Sequence, residues 1–179
     1  MKVQINKVLL VAALFTAIPS SVMAGTITFT GKVIDAGCTV DVDGSTDKTI
    51  DLGSTPKSDL GSAGMTGAPK AFTINLTGCP VAGAGVPTTA SVKFSGTTDG
   101  NSTYFKNSLT GATAATNVAV LLKDSGGTDI INNDDNQPIT LPSAGGDITA
   151  NYTAQLVATA TGVTSGDVQS AVTYTVSYN

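Results

Sequence analysis

The chain has 179 residues, of which 43, or 24%, are Leu, Ile, Val or Phe, just above the roughly 20% below which chains tend to stay disordered. All nine basic residues are Lys, all thirteen acidic residues are Asp, and Arg, Glu, His and Trp are absent. That inventory excludes His-based acid–base catalysis, His-ligated zinc and Arg clamps on phosphate, so no enzyme activity, metal or cofactor is expected.

Residues 1–24 read as a secretory leader. Lys2 and Lys7 make a positive start, residues 8–18 are an apolar run too short to span a bilayer, and Val22-Met23-Ala24 fits a cleavage position before Gly25. A buried amphipathic helix is the alternative, but the run is apolar all round and ends in Pro19-Ser20-Ser21. No later stretch approaches the ~18 apolar residues of a membrane span. Without the leader, 33 core-type residues remain in 155, or 21%. The charge is then 7 Lys against 13 Asp, a net −6, which argues against nucleic acid or an anionic membrane as partner.

The first predicted strand covers 26–34, where Ile27, Phe29, Gly31 and Val33 alternate with Thr28, Thr30 and Lys32. Cys38 and Cys79 follow a leader, so they are expected to pair in an oxidising compartment, with two free buried thiols as the alternative. In the chain-entropy account, closing that loop stabilises by about 4 kcal/mol, much of a domain with so thin a core. Further strands are predicted at 46–52, 71–78, 89–95, 117–123, 148–160 and 171–178. Spacers rich in Gly, Pro, Asp and Asn separate them, and 28 Thr with many Val agree with strand propensity. About seven strands in roughly 150 residues indicate one antiparallel Greek-key β-sandwich. In the last strand Val172, Tyr174, Val176 and Tyr178 alternate with Thr173, Thr175 and Ser177 up to Asn179. This apolar face is expected to lack a covering segment from its own chain.

The leader, the run 26–33 before Cys38, the segment 71–79 ending in Cys79 and the C-terminal 174–179 together resemble a chaperone-usher fimbrial subunit of the type 1-like pilin family of Gram-negative bacteria. The resemblance covers the whole chain. It includes the family's penultimate tyrosine, at Tyr178, and its glycine fourteen residues from the end, at Gly166. It implies an incomplete immunoglobulin-like sandwich lacking its last strand, completed first by a periplasmic chaperone and then by the N-terminal extension of the next subunit. Donor-strand complementation of pilins is a known instance of recognition by β-strand addition. By residue match, Ile27, Phe29, Gly31 and Val33 are the donor face. Gly31 falls at the family's donor-strand glycine, where close backbone approach is needed. Gly166, Val172, Tyr174, Val176 and Tyr178 are the chaperone and acceptor side. The implied organisation is a leader at 1–24, an extension at 25–37 and a pilin domain at 38–179. The implied partners are like subunits, the chaperone and an outer-membrane usher, and the implied destination is a surface fimbrium reached through the periplasm.

Other motifs carry less. Leu141-Pro142-Ser143-Ala144-Gly145 lacks the Thr of a surface-sorting signal and reads as a turn. Asp134-Asp135 with Asp129 lacks the Gly and bidentate Glu of a calcium loop and reads as solvated. Sequons at Asn75, Asn101 and Asn151 carry little weight in a bacterial-looking protein. Three functions are weighed. The first is a structural subunit that polymerises by donor-strand exchange and supports adhesion. The second is a tip or surface binding module recognising host sugars or proteins, although tip adhesins usually add a lectin domain for which 155 residues leave no room. The third, a secreted enzyme, finds almost nothing in the inventory.

Overall fold

The computed structural model describes residues 37–136 and 138–179. The leader, the predicted strand at 26–34 and the donor residues Ile27, Phe29, Gly31 and Val33 lie outside them. The described chain forms eight strands: β1 Thr39–Val42, β2 Lys70–Cys79, β3 Thr89–Gly96, β4 Tyr104–Lys106, β5 Val118–Asp124, β6 Ile139–Thr140, β7 Gly146–Ala158 and β8 Val172–Tyr178. A short 3-10 helix, Lys57–Leu60, is the helical element among the described residues. The strands make two antiparallel sheets, ordered β1-β2-β7-β5-β4 and β6-β3-β8. After β2 the chain changes sheet at every connection except β4 to β5, as a Greek-key sandwich requires.

Alternation explains the core. Phe72, Ile74 and Leu76 of β2 face Val92 and Phe94 of β3, with Val120, Leu122, Tyr152 and Ala154 completing the layer. Phe72 stacks on Tyr152 at 5.6 Å, and Phe94 meets Tyr152 edge-on at 5.1 Å, so three aromatic rings lock the two sheets together. Burial, and secondarily Asp124, pushes the Tyr152 phenol up to about 12. In β5 even the outward Ala119 and Leu121 are buried, against Val157 and Tyr104. Cys38, just ahead of β1, is bonded to Cys79 at the end of β2. The Thr39↔Thr77 register brings the two strand ends together at that point.

Five predicted strands match β2, β3, β5, β7 and β8 to within two residues at each end. The predicted strand at 46–52 is not one. Asp43 and Gly44 take positive φ, 46° and 82°, and turn the chain off β2. Beyond that turn Ile50 and Leu52 pack on the core, but residues 46–52 pair with no strand among the described residues. An alternating pattern becomes a strand only when a neighbour supplies its hydrogen bonds. The short strands β1, β4 and β6 escaped the pattern because they span only 4, 3 and 2 residues.

Candidate functional site

In the smaller sheet β8 pairs with β3 from Ala90↔Tyr178 to Gly96↔Val172. Among the described residues its opposite edge has no strand partner. Beside it runs a groove of about 1140 Å³, with residues 46–55 along one wall and residues 163–174 along the other. Its floor is core: Phe72, Ile74, Phe94, Val120, Leu122 and Leu156 all line it. Strand alternation puts Val172, Tyr174, Val176 and Tyr178 half-buried against that core while Thr173, Thr175 and Ser177 face out.

The groove brings together Gly166, Val172 and Tyr174 of the predicted acceptor residues. Val176 and Tyr178 continue the same strand face but lie past the open length. There the Tyr178 hydroxyl accepts from the Cys38 N–H at 3.0 Å and donates to the Cys38 carbonyl at 3.1 Å. The Tyr174 hydroxyl donates to the Thr46 carbonyl at 3.2 Å. Tyr174 thus reaches from β8 across to the opposite wall at Thr46, while Tyr178 docks beyond the groove on the backbone of the disulfide-bonded Cys38.

Gly166 has a definite steric role. A Cβ there would sit 2.5 Å from the Ala115 nitrogen and 2.6 Å from both the Ala114 carbonyl carbon and the Thr113 oxygen. Those are backbone atoms that cannot rotate aside. The close approach lets the Asp167 N–H reach Thr113 O at 2.7 Å and the Ala115 N–H reach Asp167 O at 3.0 Å. Asn107 holds the same corner, and it was not apparent from sequence. It is 7% exposed, donates to Ala115 O and Asp167 O, and accepts from the Leu109 and Gln169 N–H groups. All four bonds go to backbone, so no pairing of side-chain types could have revealed them.

The sheet's other edge is closed. Along β3, Thr89 and Ala90 pair with β6. Beyond them the Asn133 N–H donates to Phe94 O, Asn136 Nδ2 donates to Val92 O, and Asn132 Oδ1 accepts from the Gly96 N–H. Asp135 and Asp129 pair with Lys93 and Lys123. Among the described residues no group of three or more acidic or cysteine side chains is placed to hold a cation.

The β-sandwich thus has one guarded edge and, among the described residues, one edge without a strand partner beside an apolar groove. Residues 27–179 match the family model described as fimbrial protein. The chain belongs to that family, the fimbrial subunits of chaperone-usher pili. It is 37% identical over 171 residues to the major fimbrial subunit SMF-1 of Stenotrophomonas maltophilia, covering 87% of this chain and 92% of that one. It is 32% identical over 154 residues to long polar fimbria protein A of Salmonella typhimurium, covering 86% and 83%. The P pilus rod subunit PapA shares the fold at a TM-score of 0.66 and 24% identity, covering 80% of this chain and all of that one. A subunit from a solved chaperone-usher pilus superposes at 0.65 with 26% identity, covering 92% and 99%. The sandwich is therefore the immunoglobulin-like pilin fold. Fimbrial subunits are exported, non-enzymatic components of surface pili that polymerise with related pilins.

Proposed function

We propose that this chain polymerises by donor-strand exchange after a periplasmic chaperone delivers it to an outer-membrane usher, and that the resulting fimbrium supports cell adhesion. The observation that carries the reading is the unpaired edge of β8 above the apolar groove. Residues 25–37 are the extension, with Ile27, Phe29, Gly31 and Val33 as the face that enters a neighbour. Gly166, Val172, Tyr174, Val176 and Tyr178 belong to the side that receives it and that the chaperone holds first. A strand laid beside β8 would also offer its far edge to residues 46–52, whose strand-like sequence lacks a ladder. One insertion would thus supply hydrogen bonds to both walls. Burying Ile27, Phe29 and Val33 is worth roughly 5 to 9 kcal/mol before ordering costs, comparable with the ~5–15 kcal/mol stability of a domain.

The test uses the chain without residues 25–33, recovered with its chaperone, and a synthetic peptide of residues 25–34. The peptide should displace the chaperone, give a one-to-one complex and raise the unfolding temperature. A peptide carrying Ile27→Asp and Phe29→Asp should do none of these. If the native-sequence peptide leaves the chaperone complex and its stability unchanged, the donor assignment is wrong.

A further inference from the structure

We propose that Asn101 is an acceptor for N-linked glycosylation, receiving an oligosaccharide from a polyprenyl diphosphate carrier. The chain holds three Asn-x-Ser/Thr sequons, each of which meets the minimal acceptor pattern, and the fold separates them. Asn75 lies within β2, paired with Asp41 on one side and Thr149 on the other. Its Nδ2 donates to Asp41 at 2.8 Å and its Oδ1 accepts from the Thr149 hydroxyl at 3.0 Å. Asn151 lies within β7 opposite Thr73, and the next residue, Tyr152, is 5% exposed in the aromatic cluster. Presenting either one to an enzyme would break the large sheet.

Asn101 sits instead in the turn between β3 and β4, and both it and Ser102 are exposed. The turn is closed by the Tyr104 N–H to Asn101 O and Asp99 N–H to Tyr104 O bonds, and the Asn132 N–H to Ser102 O bond ties it to the loop after β5. Asn101 Oδ1 accepts from both the Thr103 N–H at 2.9 Å and the Thr103 hydroxyl at 2.8 Å, while Asn101 Nδ2 makes no hydrogen bond among the described residues. Two donors on Oδ1 stabilise the negative charge that grows on that oxygen as an Nδ2 proton departs, which makes a poor amide nucleophile easier to activate. Thr103 is thus a positioning residue. Asp99, two residues ahead, gives the turn an anionic handle. Its carboxylate has no hydrogen-bond partner among the described residues.

The step balances as a glycosyl transfer. Nδ2 attacks the anomeric carbon, a C–N bond forms, the anomeric C–O bond breaks, and the polyprenyl diphosphate leaves with the electron pair. The Nδ2 proton passes to a base of the transferase. Asn101 is absent from the walls and floor of the groove beside β8, so a glycan there leaves strand uptake free. In the cell this site rests on the export proposed above, so the test is done outside it.

The purified, oxidised full chain is incubated with a bacterial oligosaccharyltransferase and its lipid-linked oligosaccharide, then cleaved after lysine. Lys93, Lys106 and Lys123 place the three sequons in separate peptides, 71–93, 94–106 and 124–179. Glycan is expected on 94–106 alone. It should be lost in Asn101→Gln and Thr103→Ala, retained in Thr103→Ser and diminished in Asp99→Asn, with unfolding temperatures unchanged across the set. An unmodified 94–106, or equal occupancy of the other two peptides in folded protein, would overturn the assignment. Neither outcome bears on donor-strand exchange, which the peptide displacement measures separately.

Discussion

On the β3 side of the small sheet, beyond its short pairing with β6, three asparagines meet the β3 backbone. On the β8 side, a strand of seven residues borders an apolar groove and has no second ladder among the described residues. Both edges belong to the same three strands and are built from similar residues, so propensity does not separate them. An unguarded edge invites pairing with other chains, and natural sheets blunt their edges by covering or charging them. Here the remedy is applied to β3, with Lys93 and Asp135 adding an exposed ion pair outside the asparagines. It is withheld from β8, whose outward row is Thr173, Thr175 and Ser177 and bears no charge. The contrast shows that the same sheet carries the means of closing an edge and that, among the described residues, it is used on the β3 side alone.

The largest effect should come from removing the disulfide that joins the start of β1 to the end of β2. In the paired variant Cys38→Ser, Cys79→Ser the loop is no longer closed in the unfolded chain, which costs about 4 kcal/mol in the chain-entropy account. Cys38 is also where the Tyr178 hydroxyl docks, so the tyrosine loses a fixed target. Denaturant unfolding should register the loss, and the yield of chaperone-bound subunit should fall. An unchanged midpoint would mean that the two walls are held by packing alone.

A smaller loss is expected from Gly166→Ala. The added carbon meets backbone at 2.5 Å, so residues 113–115 and 166–167 must part, at about 1–3 kcal/mol as for other overpacked sites. The strain falls on the groove wall and not on the β3 edge. Binding of the 25–34 peptide should therefore weaken along with stability. Ala114→Gly in the same chain should restore neither, because the contacts are to main-chain atoms.

How far the two edges could be anticipated differs for a physical reason. Side-chain alternation is a local property, so β2, β3, β5, β7 and β8 were readable, and so was the apolar stripe of β8 that forms one wall of the groove. The other wall departs from expectation, because Ile50 and Leu52 alternate like a strand and pack on the core while no described strand pairs with them. The guard on β3 depends on Asn132, Asn133 and Asn136 reaching a strand some 40 residues earlier in the chain, the Asn136–Val92 bond spanning 44. Asn-rich turns look alike whether they face solvent or a sheet edge. The importance of Gly166 was visible only through family resemblance, and its cause only through the backbone it touches.

Opening the guarded edge tests the contrast directly. Asn132→Ala with Asn136→Ala removes two side-chain hydrogen bonds to β3, at about 1 kcal/mol each, and exposes Val92 O and the Gly96 N–H. The β3 side would then be held only by its short pairing with β6 and by the Asn133 N–H to Phe94 O bond. Sedimentation of the 25–33 deletion saturated with donor peptide should reveal new self-association in the double variant and none in the parent. If both stay monomeric, the asparagines serve the turn and not the edge.

The smallest change in stability, and the sharpest reading of the open edge, should come from Tyr174→Phe. Its hydroxyl makes a single exposed bond of 3.2 Å to Thr46 O, worth about 0.5 kcal/mol or somewhat more, and the ring packing is kept. That bond nevertheless crosses from β8 to the opposite wall, over the place where the proposed donor strand would lie. If the hydroxyl has to release Thr46 before a strand can enter, Tyr174→Phe should take up the 25–34 peptide faster than the parent, with little change in the stability of the filled complex. Tyr178→Phe gives up two bonds, both to Cys38 at the closed end. It should lose more stability and gain less rate, because the open length of the groove ends before it. Equal uptake rates in all three proteins would mean that strand entry does not pass under the Tyr174 bridge, and would move the point of entry toward the Gly166 end of the groove.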